Sequence, residues 1–230
     1  MMNIEQKISR YLYFMIGSLF SIICALMALH IFLPYTLFDL DQEGNIPTWF
    51  SSQLLFLVSI ITGINYILNR KLIKKSERIF NKSWVWLLIS GVFLFLSMDE
   101  VAYIHERLHD KLKLVFLNTK ASHDLWMIVY IPFLLGGLFF LKDFLKYLYQ
   151  LSRASFKFIF GASILWLSTF VLELVGQYYL KKGYPQIYQI EVIAEEGLEM
   201  LAALLFCVAF LLITKLMIIK LLGKISRNER

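Results

Sequence analysis

Six apolar runs dominate the chain, and each approaches or reaches the roughly 20 residues that a helix needs to cross about 30 Å of hydrocarbon. They lie near 11–33, 49–68, 84–103, 125–141, 156–178 and 192–213. None alternates polar with apolar residues as a barrel strand must. Helices, which satisfy their own backbone hydrogen bonds in lipid, are therefore the expected form. Composition agrees, since 59% of residues are apolar and 17% charged, against about 45–50% and about 25% in an ordinary soluble domain. So much apolar surface cannot be hidden inside one small globule. A soluble enzyme, a disordered chain and a secreted disulfide scaffold are excluded. The first run is too long, and lacks the small-residue cleavage site, for a removed signal peptide. With no internal repeat or linker visible, the expected architecture is all-α: a bundle of six transmembrane helices forming one domain over 1–230.

Charge sets the orientation. The N-terminal segment, the segments near 70–82 and 142–157, and the C-terminal tail together hold 17 of the 23 basic residues and only four acids. The intervening segments hold six bases and thirteen acids. By the positive-inside rule both termini are expected in the cytoplasm of a bacterial-type inner membrane. The basic stretch around 69–83 is explained by topology and anionic lipid, so membrane lipids are the expected partners and nucleic acid is not. Cys24 and Cys207 fall inside apolar runs and read as small packed hydrophobes. Trp49, Trp84 and Trp86 read as interfacial belts.

The acids on the outer side are not scattered. Asp99 sits about 22 Å along a helix starting at Trp84, in the outer third of the bilayer. With the helix expected to continue through His105 and His109, Asp99, His105, Glu106 and His109 share one face, and Glu100 points elsewhere. In the sixth run, Glu191, Glu195 and Glu199 follow i, i+4, i+8 spacing, with Glu196 on the adjoining side. Glu173 and Gln177 lie one turn apart in the fifth run. Helical rise brings Glu173, Glu199 and Asp99 to a similar depth. Buried charges in hydrocarbon cost several kcal/mol each. Such a cluster must face inward and be neutralised by protons, bases or a metal ion.

His105-Glu106-Arg107-Leu108-His109 matches H-E-x-x-H, in which two His one turn apart chelate Zn²⁺ while the Glu activates water. Glu195 or Glu199 is then the third ligand, as in His₂Glu sites. The plain alternative is a polar helix end that matches by chance. Glu106-x-x-His109 also fits the E-x-x-H of di-iron proteins, with iron held among Asp99, Glu173, Glu196 and Glu199, although the second motif has Glu in place of His. His30 and His123 read as helix-end histidines, with His123 near enough to the cluster to join it. The loop carrying Asp39, Asp41 and Glu43 reads as a solvated turn without EF-hand spacing. No P-loop, G-x-S-x-G motif or pair of broken helices is present.

The pattern S-M-D-E-(x)4-H-E-R-L, followed by E-E-x-L-E-M, resembles a group of uncharacterised bacterial multi-pass membrane proteins. That resemblance points to Asp99, Glu100, His105, Glu106, Glu195, Glu196 and Glu199. A looser similarity links Ser97, Asp99, His105 and His109 to the Ser, Asp and His set of alkaline ceramidase and adiponectin-receptor-like membrane hydrolases, which hold zinc at one membrane face. Those have seven spans and an H-x-x-x-H in the last.

Three functions follow as expectations. In the first, a metal-dependent hydrolase acts on a lipid or other membrane-resident substrate. Zinc sits on His105, His109 and Glu195 or Glu199, with Glu196 nearby, and Glu106 or Asp99 is the general base. In the second, Asp99, Glu100, Glu173, Glu195, Glu196 and Glu199 bind or conduct protons or cations without enzymatic activity. In the third, the chain is a structural subunit of a membrane complex.

Overall fold

The computed structural model describes residues 4–33, 35–42, 44–72, 83–105, 107–108, 111, 132, 136 and 142–228. Each apolar run that these residues cover is a helix. They are α1 (Ile4–Phe32), α2 (Ile46–Leu72), α3 (Ser83–Ala102), α4 (Arg153–Lys181) and α5 (Pro185–Asn228), with a single 3₁₀ turn at Thr36–Phe38. Among the described residues all five are long and apolar enough to cross a membrane, and no strand occurs. This is the pattern of a helical membrane bundle. The run expected at 125–141 lies outside the described residues apart from Pro132 and Gly136.

Helix α5, 44 residues long, is the centre against which α1, α2 and α4 pack. Its middle carries Ala202, Ala203, Cys207 and Ala209, all buried. Small residues let helix backbones approach closely where lipid supplies no hydrophobic drive to associate. The Cys207 thiol accordingly lies 3.7 Å from the Leu54 carbonyl of α2. Cys24, by contrast, is on the exposed face of α1.

Helices α2 and α3 run antiparallel and are joined by two reciprocal serine pairs. Ser52 Oγ donates to the Ser97 carbonyl at 2.8 Å, and Ser97 Oγ donates back to the Ser52 carbonyl at 2.9 Å. Two turns further on, Ser59 and Ser90 repeat the exchange at 2.8 and 2.9 Å. The seven-residue spacing on each helix is that of a shared helix seam. Asn65, fully buried, ties α2 to α5: its amide donates to the Phe210 carbonyl at 3.3 Å and its carbonyl accepts from Thr214 at 2.8 Å. Trp86, expected at an interface, is instead wholly buried, edge-on to Phe144 and Phe210. Trp49 and Trp84 keep the exposed positions expected of belt residues.

The α4–α5 hairpin is tight for a local reason. Gly183 adopts φ +82°, its N–H bonds to the Leu180 carbonyl, and the Tyr184 N–H reaches back to the Tyr179 carbonyl. This is a Schellman stop, satisfying the last carbonyls of α4, and Pro185 then opens α5 where its missing N–H costs nothing. The short turn forces the last turns of α4 against the first turns of α5. Helix α1 is attached more loosely, through Ile23, Leu26 and Met27, while Tyr13 remains 76% exposed.

Candidate functional site: an acidic cavity at one end of the bundle

At the end where α3 and α4 finish and α2 and α5 begin, the helices enclose a cavity of about 290 Å³. Eight carboxyl groups line it. Asp99 and Glu100 come from α3, and Glu173 from α4. Glu191, Glu195, Glu196 and Glu199 come from α5, and Asp41 from the loop before α2. The stripe expected on α5 and the shared depth of three helices are thus both present. Glu100 lines the same cavity, contrary to the expectation that it points elsewhere.

A helix break follows Glu100 by two residues. Tyr103 takes φ +57°, a left-handed conformation uncommon for a bulky residue. Helix α3 therefore stops at Ala102, so the continuous helix expected from Asp99 to His105 is interrupted at Tyr103. Asp99, 6% exposed, compensates for the break by accepting the His105 backbone N–H at 2.8 Å. The same Oδ1 lies 3.4 Å from His105 Nδ1, so this carboxyl both caps the restart and holds the imidazole. The Tyr103 hydroxyl packs against Gly44, whose φ of +76° and lack of a side chain leave room for it.

Two groupings can be distinguished within the cavity. The deeper one centres on Glu199, which accepts Thr169 Oγ1 at 3.3 Å and a hydrogen bond from Trp166, and which feels His105 and Asp99 electrostatically. The rim grouping surrounds Tyr188, whose hydroxyl donates to Asp41 Oδ1 at 2.5 Å with Glu191 and Glu195 close by. Glu191 and Glu195, one turn apart on α5, lie close to each other. Glu191 is 6% exposed and lines the cavity, yet its Oε1 has no hydrogen-bond partner. Its carboxyl occupies the place where a Cβ on Gly176 would stand. Only glycine at that turn of α4 leaves room for the carboxyl.

Of the residues singled out from the sequence, Asp99, Glu100, His105, Glu173, Glu195, Glu196 and Glu199 are brought together. Glu106, His109 and His123 lie outside the described residues. Among the described residues no three His, Cys, Asp or Glu side chains converge as a metal site. The loop read as a solvated turn instead contributes Asp41 to the rim, and Asp39 pairs with His30 at 3.4 Å. Sequence reasoning missed Trp166, Thr169 and Tyr188. Trp166, Thr169, Phe170, Glu173 and Gln177 follow i, i+3, i+4, i+7, i+11 spacing, a helical stripe that would have found the first two.

A family model described as a domain of unknown function, DUF8692, matches residues 14–214. The chain belongs to that family. The match contains every residue lining the DUF8692 cavity, from Leu40 to Glu199. Comparison with curated proteins and with solved structures gives no match. The likeness to alkaline ceramidases and adiponectin receptors finds no support there.

Proposed function

We propose that the protein is a non-enzymatic, multi-pass inner-membrane protein that binds cations in the acidic cavity in exchange for protons. One observation carries this reading: eight carboxyls, from three helices and the loop before α2, line one cavity. Gathering so many acids at the end of a membrane bundle is expensive unless a function requires it. A cation that takes over the negative charge releases the protons that held it before. The sidedness of Lys and Arg supports an outer position for the cavity. Purified protein in weakly buffered detergent should release protons when Ca²⁺, Zn²⁺ or an alkylammonium salt is added. A Glu195→Gln, Glu199→Gln variant should release none. Absence of proton release from the wild type with every cation would end this reading.

A second reading is favoured by one contact, the approach of Asp99 Oδ1 to His105 Nδ1 at 3.4 Å. Histidines that ligate metals commonly give their other ring N–H to a carboxylate. Zinc would then sit on His105, His109 and Glu195, Glu196 or Glu199, with iron as the alternative. Because Asp99 is engaged by His105, the general base would be Glu106 and the activity hydrolysis of a membrane-resident amide or ester. Elemental analysis of chelator-free protein decides this. One zinc per chain, lost in His105→Ala, Glu195→Ala, supports it, and none in the wild type removes it.

A further inference from the structure

The loop between α1 and α2 forms part of the cavity rim, and one imidazole nitrogen holds it there. His30, in the last turn of α1, accepts the Leu40 backbone N–H on Nδ1 at 3.1 Å. Leu40 is 5% exposed and packs with Ile23 and Leu26 of α1, Phe50 and Leu54 of α2 and Val192 of α5. A backbone N–H at so buried a residue needs an acceptor, and His30 supplies it. The next residue, Asp41, lines the cavity and accepts the Tyr188 hydroxyl of α5. The same Nδ1 stands 3.4 Å from Asp39 Oδ1. An imidazole nitrogen without a proton accepts, and one with a proton only donates. Nδ1 can therefore serve the Leu40 N–H or the Asp39 carboxylate, and the charge of the ring decides which.

We propose that His30 is a proton-operated latch on the α1–α2 loop. Neutral, it holds the Leu40 N–H and so keeps Asp41 against Tyr188. Protonated, it turns Nδ1–H toward Asp39, leaves the Leu40 N–H without its acceptor, and lets the loop swing off the cavity rim. Imidazole is the side chain that ordinarily changes charge between pH 5 and 8, and a protonated histidine that exchanges one contact for another is enough to bias a two-state element. Asp39 is the charged group beside the ring, and among the described residues no other acid or base pairs with it. Asp39 Oδ1 also accepts the Asp41 N–H at 3.1 Å, so a pull on this carboxylate reaches the rim residue directly. From the side of α2, Asn45 is neutral and binds the carbonyls of Thr36, Asp39 and Gln42. From α5, Tyr188, Glu191 and Glu195 face Asp41, and the two acids oppose its charge, so the rim contact yields once Leu40 is released.

Pulsed electron paramagnetic resonance on the full chain in mild detergent tests the latch. One nitroxide is placed at Leu37→Cys in the loop and one at Ile190→Cys on α5, both exposed positions, in a Cys24→Ser background that retains the buried Cys207. With His30 present, a single short distance is expected at pH 8 and a second, longer population at pH 5. His30→Asn sets an amide oxygen near the place of Nδ1, accepts the Leu40 N–H and does not titrate, so the short distance alone should persist at both pH values. His30→Ala should show the long population at both. If His30→Ala does not fold, His30→Asn decides. A distance distribution that does not change with pH when His30 is present overturns the latch. So does the same pH-dependent population in His30→Asn, or a purely short distance in His30→Ala. Because the readout is a distance, its outcome is separate from what the cavity binds.

Discussion

The middle of the bundle and its acidic end solve the same problem in opposite ways. Both place polar side chains among apolar helices. In the middle, Ser52 with Ser97, Ser59 with Ser90, and Asn65 with Thr214 satisfy one another or a facing backbone carbonyl. At the acidic end eight carboxyls meet, and the donors that reach them include Thr169, Trp166, Tyr188 and the His105 backbone. Polar groups that find partners within the protein are holding helices together. Carboxyls gathered in one cavity present a surface that a ligand bringing donors or positive charge would complement. The contrast separates structural polarity from functional polarity within one helix, since α5 carries both kinds.

Mutations at the two ends should therefore act in opposite senses. The largest effect is expected for Glu191→Gln combined with Glu199→Gln. Each removes a charge-assisted contact of about 1.5–3 kcal/mol, so cation affinity should fall by about 100-fold or more. The same variant relieves like-charge crowding and should raise the melting temperature in detergent, the usual trade between stability and function. A lower melting temperature would show that these acids are structural and erase the distinction. Next comes Ser59→Leu, which forces a larger side chain into the α2–α3 seam at a cost of about 1–3 kcal/mol. It should lower the melting temperature and leave cation affinity within about twofold, a change of ~0.4 kcal/mol.

Smaller effects sharpen the boundary. Gly176→Ala requires only that the flexible end of Glu191 shift. It should weaken binding severalfold with little change in melting, because the cost falls on the site and not on the helix contact. Ser97→Ala removes one half of a reciprocal pair and should cost about 0.6 kcal/mol, the average for interhelical hydrogen bonds in membranes. Although Ser97 stands one turn before Asp99 on α3, no change in binding is expected, as its hydroxyl is committed to α2.

What the sequence made legible follows from helical geometry alone. Glu191, Glu195 and Glu199 repeat every four residues, and rise per residue set Asp99, Glu173 and Glu199 at one depth. Both inferences survive because α3, α4 and α5 are regular over those stretches. The site becomes illegible where the backbone leaves the helix. Tyr103 in the left-handed region ends α3, and this is why the helix expected to run on through His105 is interrupted. Nothing in the residues 99–105 announces that break, at which the Tyr103 hydroxyl meets Gly44 in a distant loop. Asp41 and Tyr188 were hidden for the same reason. Their hydrogen bond joins residues 147 positions apart, and no periodicity within a helix encodes it. Trp86 misleads differently: its type suits an interface, but its place on α3 puts it against Phe144 and Phe210.

Proton release on cation binding is the most direct test of the cavity's role. Protein in weakly buffered detergent near neutral pH is titrated with Ca²⁺, Zn²⁺ and an alkylammonium salt while an indicator dye follows proton release. Release that saturates with cation, and that disappears in Glu191→Gln combined with Glu199→Gln, is the predicted result. Cation binding without proton release, or release undiminished in that variant, would contradict the account.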